Sequence, residues 1–272
     1  QYKASSNEWR FAEHQYDYVG DDTNGNVSVG STKSSNASVS NSYSGWIDLF
    51  GWGTSGQTFD SGYGSAYQPW ATSNTNTYYG PTDGTSGLTG TYANGDWGVC
   101  NAISNGGNTA GVWRTLTGGT SGEWKYIFDS RTTTTSNMPT GTYSDAARYT
   151  KATVAGVSGV ILFPDNYAHP AGVTVTVSDA AYNTFGKDYS TFTVDASNWA
   201  TMESAGCVFL PAAGRRGETS VYYAGSGGYY WSSTANGTNR ACYVCFYSFD
   251  VYPASSYNRY YGCSVRLVRP VE

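Results

Sequence analysis

At 272 residues the chain is long enough to bury a sizeable core, yet only 13% of it is charged while 16% is aromatic, with 34 Gly and 25 Tyr. A net charge of -5 excludes the broad positive field that nucleic-acid binding needs, and no stretch approaches the ~20 apolar residues of a membrane-spanning helix. Ser, Thr, Asn, Gly and Tyr stand where an ordinary cytosolic enzyme carries charge, which is the palette of extracellular β-rich proteins and of antibody-like binding loops.

In chain order, "WRFAEHQYDYVG" (Trp9 to Gly20) reads as a strand holding His14. "GDDTNGN" (Gly20 to Asn26) places Asp22, Asn24 and Asn26 at alternate positions like the front of a calcium loop, but no Glu stands at the twelfth position, so a turn is expected. Two long polar segments follow, Asp21 to Ser42 and Ala71 to Gly95, and structureless loops of that length are unusual in a compact domain. Trp46, Trp52, Trp70, Trp97 and Trp113 interrupt or flank them, and Trp-centred packing is expected to hold the loops onto a small sheet. Thr120 to Thr132 is a short helix with Trp124, Ile127, Phe128 and Arg131 at helical spacing. The runs Gly156 to Asp165 and Ala205 to Gly214 are short buried strands closed by Pro and Gly. Between them, Val194 to Gly206 is a second helix, with Asp195 or Ser197 as its cap, Trp199 and Met202 on its apolar face and Gly206 as its stop. Gly214-Arg215-Arg216-Gly217 reads as a structural basic turn. Near the end, "ACYVCFYSF" alternates with period two, so Val244 and Phe246 are expected in the core and Tyr243, Cys245 and Tyr247 facing out; in "SVRLVR", Val265 and Leu267 face in. No interdomain linker and no repeat is visible, so residues 1–272 are read as one domain.

Catalytic chemistry is thinly represented. Only His14 and His169 exist, no G-x-S-x-G elbow appears, and both histidines are read as surface residues. Lys151 lacks a phosphate-cradling glycine pattern, and Glu123 and Glu203 sit on the helices as solvating or capping groups. Five cysteines (Cys100, Cys207, Cys242, Cys245, Cys263) cannot all pair within one chain, and Cys242-x-x-Cys245 has redox or zinc spacing without a second pair or a nearby His, so free thiols are expected. No cofactor or metal is expected. The chain begins at Gln1 without a signal-peptide pattern, which is compatible with a trimmed leader. What remains is the tail, dense in Tyr, Asn, Ser and thiols, and aromatics grouped on one surface usually mean recognition.

The stretches "FLPAAGRRG", "YYAGSGGYYWSST" and "NRYYGCSVRLVR" resemble the bacterial major-paralogous-domain family, whose members end in L-P-A-A-G, then Y-W-S-S, then R-x-x-G-x-S-V-R. Several such proteins are variable proteins of diversity-generating retroelements. "WRFAEHQYDYVGD", "GWIDLFGWGTSG", "WGVCNAISNGG", "WRTLT", "EWKYIF" and "GVILFPD" are also similar, so the resemblance spans nearly the whole chain. It implies an α+β C-type lectin fold in the form shared with formylglycine-generating enzymes. It also implies display on a bacterial cell or phage surface, and binding of a protein or glycan ligand by a variable segment, residues 230–269. Adenine-directed mutation of A-A-pyrimidine codons never yields Trp, Met, Gln, Lys or Glu. Those five types supply 25 of residues 1–231, a frequency that would place about four in Ser232 to Arg269, and none occurs there.

Alignment on Tyr230-Trp231-Ser232-Ser233 and on the motif from Arg259 to Arg266, combined with strand alternation, selects the variable ligand-binding candidates. They are Asn236, Thr238, Asn239, Arg240, Cys242, Tyr243, Cys245, Tyr247, Asp250, Tyr252, Ser256, Tyr257, Asn258, Tyr260 and Tyr261. Trp231, Val244, Phe246, Gly262, Val265 and Leu267 are the expected scaffold. The sugar-binding tripeptides Glu-Pro-Asn and Gln-Pro-Asp are absent, Gln68-Pro69-Trp70 being a partial echo, which argues against calcium-dependent sugar binding. The alternatives are a cysteine-dependent oxidase or modifying enzyme of the formylglycine-generating type, using Cys242, Cys245 and Cys263, and a structural adhesion subunit.

Overall fold

A computed structural model describes residues 1–3, 6, 8–19, 46–53, 86–88, 113–179, 182–184, 187–217 and 220–269. The calcium-loop echo, most of both long polar segments, Trp70, Trp97 and Cys100 lie outside the described residues.

The described elements are mostly short strands with two short helices, an α+β architecture. In order they are β1 (Tyr2–Lys3), β2 (Glu8–Trp9), β3 (Arg114–Thr115), α1 (Glu123–Lys125) with a π-helical turn over Tyr126–Ser130, β4 (Tyr149–Val154), β5 (Val157–Leu162), β6 (Thr176–Val177), a 3-10 turn (Tyr189–Thr191), β7 (Phe192–Val194), α2 (Ala196–Ser204), β8 (Val208–Pro211), β9 (Arg215–Gly217), β10 (Ser220–Tyr222), β11 (Gly227–Asn236), β12 (Arg240–Tyr247), β13 (Val251–Asn258) and β14 (Leu267–Val268). A five-stranded sheet has the order β6-β7-β4-β5-β8, and a three-stranded sheet the order β11-β12-β13; β1-β2, β9-β10 and β3-β14 are two-stranded pairs. Among the described residues no helix is long and apolar enough to cross a membrane.

Local chemistry explains the elements. Strands β4 and β5 pair from Tyr149 with Leu162 to Val154 with Val157, leaving the two-residue turn Ala155-Gly156. Both turn residues have positive φ, +49° and +84°, the backbone whose twist matches an antiparallel hairpin. Helix α2 starts where Asp195 accepts a hydrogen bond from the Asn198 amide at 2.8 Å. It ends at Gly206 (φ +92°), where the Gly206 amide donates to the Glu203 carbonyl and the Cys207 amide to the Met202 carbonyl, closing the last turn. The expected helix over 120–132 begins as α1 but widens into the π turn and stops at extended Arg131, whose guanidinium is tied to Asp165 at 3.0 Å and to the Arg148 carbonyl at 2.7 Å. The strand expected over 9–20 is confined to Glu8–Trp9: His14 lies in a turn, its amide and ring Nδ1 on the Asp17 carboxylate, so this part of the sequence makes local side-chain turns rather than a ladder.

Three clusters stack. Ala152, Val154, Ile161 and Phe209 on one face of the large sheet bury Trp199 and Met202 of α2. The opposite face contributes Tyr149, Val160, Leu162 and Leu210 to a middle layer with Trp124, Phe128, Tyr230, Val244, Phe246 and Val251. Above the small sheet lies a third layer: Tyr229, Trp231, Ala241, Tyr243 and Cys245 against Tyr2, Ile47, Phe50, Trp52, Leu88 and Cys263. The small sheet is thus covered on both faces over its centre. Tryptophan does hold loop segments to it. The Trp52 indole donates to the Ser232 carbonyl and the Trp231 indole to the Phe50 carbonyl, each at 2.7 Å, and the Arg259 guanidinium caps the Trp52 ring at 4.3 Å.

Candidate ligand-binding surface

Strand β12 alternates as its sequence predicts. Val244 and Phe246 are fully buried in the middle layer, Phe246 lying across Gly228, where a Cβ would come within 2.2 Å of its ring. The other expectation fails in part. Tyr243 and Cys245 do point to the opposite face, but that face is the third layer, and both are sealed there at 6% and 3% exposure. Aromatic side chains from preceding segments, Trp52 and Phe50 among them, cover what strand periodicity alone assigns to solvent. Cys242 shares the inward face with Val244, wedged beside Ser232 and the Gly118-Gly119 backbone, and Tyr260 is buried with its hydroxyl on Asn258. These four candidates, Cys242, Tyr243, Cys245 and Tyr260, are therefore packing residues.

The Cys242-x-x-Cys245 spacing dissolves in the same way. Residues three apart on a strand point to opposite faces with α-carbons ~10 Å apart, beyond disulfide reach. The four described cysteines are free and buried. Burial pushes the Cys245 thiol up to about 11 and raises Cys242 and Cys263, so they are neutral thiols near pH 7 and poor nucleophiles.

The remaining candidates reach solvent on two faces of the small sheet: Asn236, Arg240, Ser256 and Asn258 share the side of Cys242, while Tyr252 and Tyr257 share the side of Tyr243 and Cys245. Asn236, Thr238, Asn239 and Arg240 are exposed in the β11–β12 turn, and Tyr252 is exposed on β13. Tyr247, Asp250, Ser256, Tyr257, Asn258 and Tyr261 are half-buried. The tyrosines form an edge-to-face network: Tyr229 with Tyr247 at 89°, Tyr243 with Tyr257 at 84°, and Tyr247 with Tyr252 at 77°. The Tyr229 and Tyr247 hydroxyls meet at 2.5 Å, and Tyr257 and Tyr261 lie 4.2 Å apart. Burial raises the phenols, Tyr257 to about 12, so the surface presents neutral hydroxyls near pH 7.

The sequence reading missed the centre of this network. Strand β9 alternates like any other: Arg216 turns inward and is fully buried, its backbone paired with Gly262, while Arg215 turns outward. The Arg215 guanidinium carbon lies 5.0 Å from the Tyr222, Tyr257 and Tyr261 ring centres, 5.7 Å from Tyr223 and 5.8 Å from Tyr229. Among the described residues it forms no ion pair with a carboxylate. Tyr223 holds its place at a cost. It follows β10 at φ +64°, a left-handed backbone that a bulky residue rarely adopts, with its carbonyl accepting from the Ser226 and Gly227 amides. The signal for these residues was the contiguous "VYY" after the basic turn, three residues of contact-forming type outside the anchored segment.

A cavity of about 350 Å³ lies elsewhere, walled by Phe11, Trp113, Phe209, Tyr230 and Arg266, and none of the fifteen candidates lines it. Several of its polar groups bond one another: Glu203 accepts from Gln15, Gln15 accepts from Arg266, and Asp17 accepts from His14, while Gln1 Nε2 and Trp113 Nε1 are buried without a hydrogen-bond partner among the described residues. The aromatic surface, with exposed tyrosines around Arg215, is the candidate developed for recognition.

Residues 165–268 match a family described as Domain of unknown function (DUF8237). No curated protein and no solved structure matches the chain. The matched span contains β9 to β13, and so the whole aromatic surface, together with most of the large sheet's second half.

Proposed function

We propose that the chain is a non-catalytic receptor of C-type lectin fold, in the form shared with formylglycine-generating enzymes, carried on a bacterial cell surface, secreted, or encoded by a phage. On this reading a retroelement diversifies residues 230–269 and the resulting surface binds protein or glycan targets. The observation that carries it is the division of the tail. Trp231, Val244 and Phe246 are fully buried, while Asn236, Thr238, Asn239, Arg240, Tyr247, Asp250, Tyr252, Ser256, Tyr257, Asn258 and Tyr261 are exposed or half-buried. Change at such exposed positions costs little stability, whereas change in the core costs kilocalories. Tyrosine supplies contact area with few rotatable bonds, and Asn, Ser and Arg supply adaptable hydrogen bonds. The neutral, buried thiols weigh against a cysteine-dependent enzyme.

Sequencing the locus from several isolates tests the proposal. Substitutions should concentrate at those eleven surface positions and spare Trp231, Val244 and Phe246, beside a near-copy of the coding segment that differs at adenines and a reverse-transcriptase gene. A locus lacking both, with substitutions spread evenly over the domain, overturns it.

A further inference from the structure

We infer that the surface around Arg215 binds a protein partner through an acidic side chain of that partner, with Arg215 as a fixed anchor beneath the proposed variable positions. This rests on the reading of the tail as a ligand-binding face and adds the chemistry of the ligand.

Four observations lead to it. First, Arg215 is a permanently charged, half-buried guanidinium with no carboxylate partner among the described residues. Five tyrosine rings surround it and its guanidinium donates a hydrogen bond to the Tyr229 hydroxyl, so among the described residues its charge meets rings and phenols rather than a carboxylate. A guanidinium has five N–H donors, and those not used by Tyr229 have the fork geometry that matches a carboxylate. Second, a further basic group, Arg240, stands exposed at the start of β12 on the side of the sheet opposite Tyr243, and its side chain donates to the Ser256 carbonyl. The chain as a whole is acidic at -5, so positive charge here is a local feature. Third, Tyr223 keeps an unfavourable left-handed backbone where glycine would be free of strain, and its ring closes the circle around Arg215 and packs on Tyr247. Fourth, Tyr222 and Tyr223, which flank Arg215, and Tyr252, which packs on Tyr247, are each about half exposed, an apolar contact area near the charge.

These features favour a protein over a sugar. A sugar ring stacks on an open aromatic face, but here the faces are spent on neighbours: Tyr247 presents its edge or face to Tyr223, Tyr229 and Tyr252 at 84°, 89° and 77°. What stays open is aromatic edge and hydroxyl, flanked by half-exposed rings, around one buried-rim cation. Tyrosine and arginine hot spots of this kind anchor protein interfaces.

The test uses the intact chain. A displayed library of small folded domains with randomised loops is selected for binding to it, and each binder is measured against wild type, Arg215→Met, Arg215→Gln and Tyr252→Ala. Binders should carry an Asp or Glu whose replacement by Asn or Gln weakens binding by about thirtyfold, and Arg215→Met should weaken it equally, as expected when one partner of a desolvated charge pair is removed. The two losses should not add in the double variant. The binder-side replacement leaves the chain untouched, so the result stands even if an Arg215 variant folds poorly. Binders weakened by Tyr252→Ala but indifferent to Arg215 and to their own acids overturn the acidic partner and leave the ligand-binding face standing. Binders indifferent to every substitution, or no binders at all, overturn both. Saturable binding of glucuronate that Arg215→Met abolishes, with no acidic residue needed in the protein binders, reassigns the ligand to an acidic sugar and overturns the protein partner.

Discussion

Replacing Tyr243 by Ala separates the observed packing from the simple alternation of β12. If Tyr243 were a free surface side chain, its loss would change stability by ~0.5 kcal/mol or less. In the structure it is 6% exposed and packs at 5.9 Å on Trp231, 6.0 Å on Tyr229 and 5.8 Å on Tyr257. A buried aromatic side chain removes ~150–250 Å² from water, and at ~25 cal/mol/Å² that is about 4–6 kcal/mol, an upper bound because the unfolded chain buries part of it already. Core aromatic-to-Ala changes cost about 3–5 kcal/mol, which overlaps that range, so ~4 kcal/mol is the expected loss. For 272 residues at ~2.1 cal/mol/K each, the unfolding entropy is about 0.57 kcal/mol/K, and Tm should fall by about 7 °C. Tyr252→Ala, at an exposed position 6.4 Å from the Tyr247 ring, is the control and should shift Tm by ~1 °C or less. Differential scanning calorimetry of both variants decides. A Tyr243→Ala midpoint within 2 °C of wild type would mean that the third layer does not close over β12, and the packing argument would fail with it.

Two further outcomes follow from the same packing. Burial raises the tyrosines Tyr149, Tyr182, Tyr189, Tyr229 and Tyr243, and the thiols Cys207 and Cys245 to about 12 and about 11, above their unfolded values. A group with a raised folded pKa contributes stability that is full below its unfolded pKa and is lost as pH rises, so the urea midpoint should be flat near pH 7 and fall above about pH 9 to 10. Lys151 opposes this over part of the window, because burial lowers it to about 8 and its neutral form is favoured in the fold; Lys151→Met should steepen the fall between pH 8 and 10. Tyrosinate absorbance reaching its full amplitude for all 25 tyrosines at ordinary phenol pH with the fold intact would contradict the burial. The second outcome concerns the thiols: Cys207, Cys242, Cys245 and Cys263 should resist alkylation in the native protein and react fully in denaturant, as read by peptide mass mapping, and modification of Cys242 or Cys245 in the folded state would refute their placement.

Much of the framework was legible because it rests on local chemistry. The cap at Asp195, the stop at Gly206, and the burial of Trp199, Met202, Val244 and Phe246 follow from residue type and period, and each is found as read. The burial of Tyr243 and Cys245 was not legible, since it depends on segments distant in sequence, Phe50 and Trp52 among them, folding over the small sheet. Periodicity says which face a side chain takes and is silent about whether a third layer covers that face. Cys242 has the parity of Val244 and faces inward with it; the aligned family pattern that places it among the candidates carries no information about strand face. Arg215 was missed because a basic pair flanked by glycines looks like a turn, whereas β9 is a short strand that sends Arg215 out and Arg216 in.

The proposed role of Arg215 also changes how the tail is understood. A surface whose side chains all vary has no constant means of orienting a ligand, and each new sequence must supply the whole recognition energy. Arg215, Tyr222 and Tyr223 stand before residue 230, outside the segment read as variable, yet they touch Tyr229, Tyr257 and Tyr261 from beneath and beside. A fixed cation there gives every version of the surface the same attraction for an acidic side chain, leaving the variable positions to decide which acid-bearing surface fits around it. That division requires the anchor to tolerate changes above it. The five rings that surround Arg215 supply this tolerance: three of them, Tyr222, Tyr223 and Tyr229, come from the chain before the proposed variable segment, so the guanidinium keeps aromatic neighbours even when Tyr257 or Tyr261 is replaced.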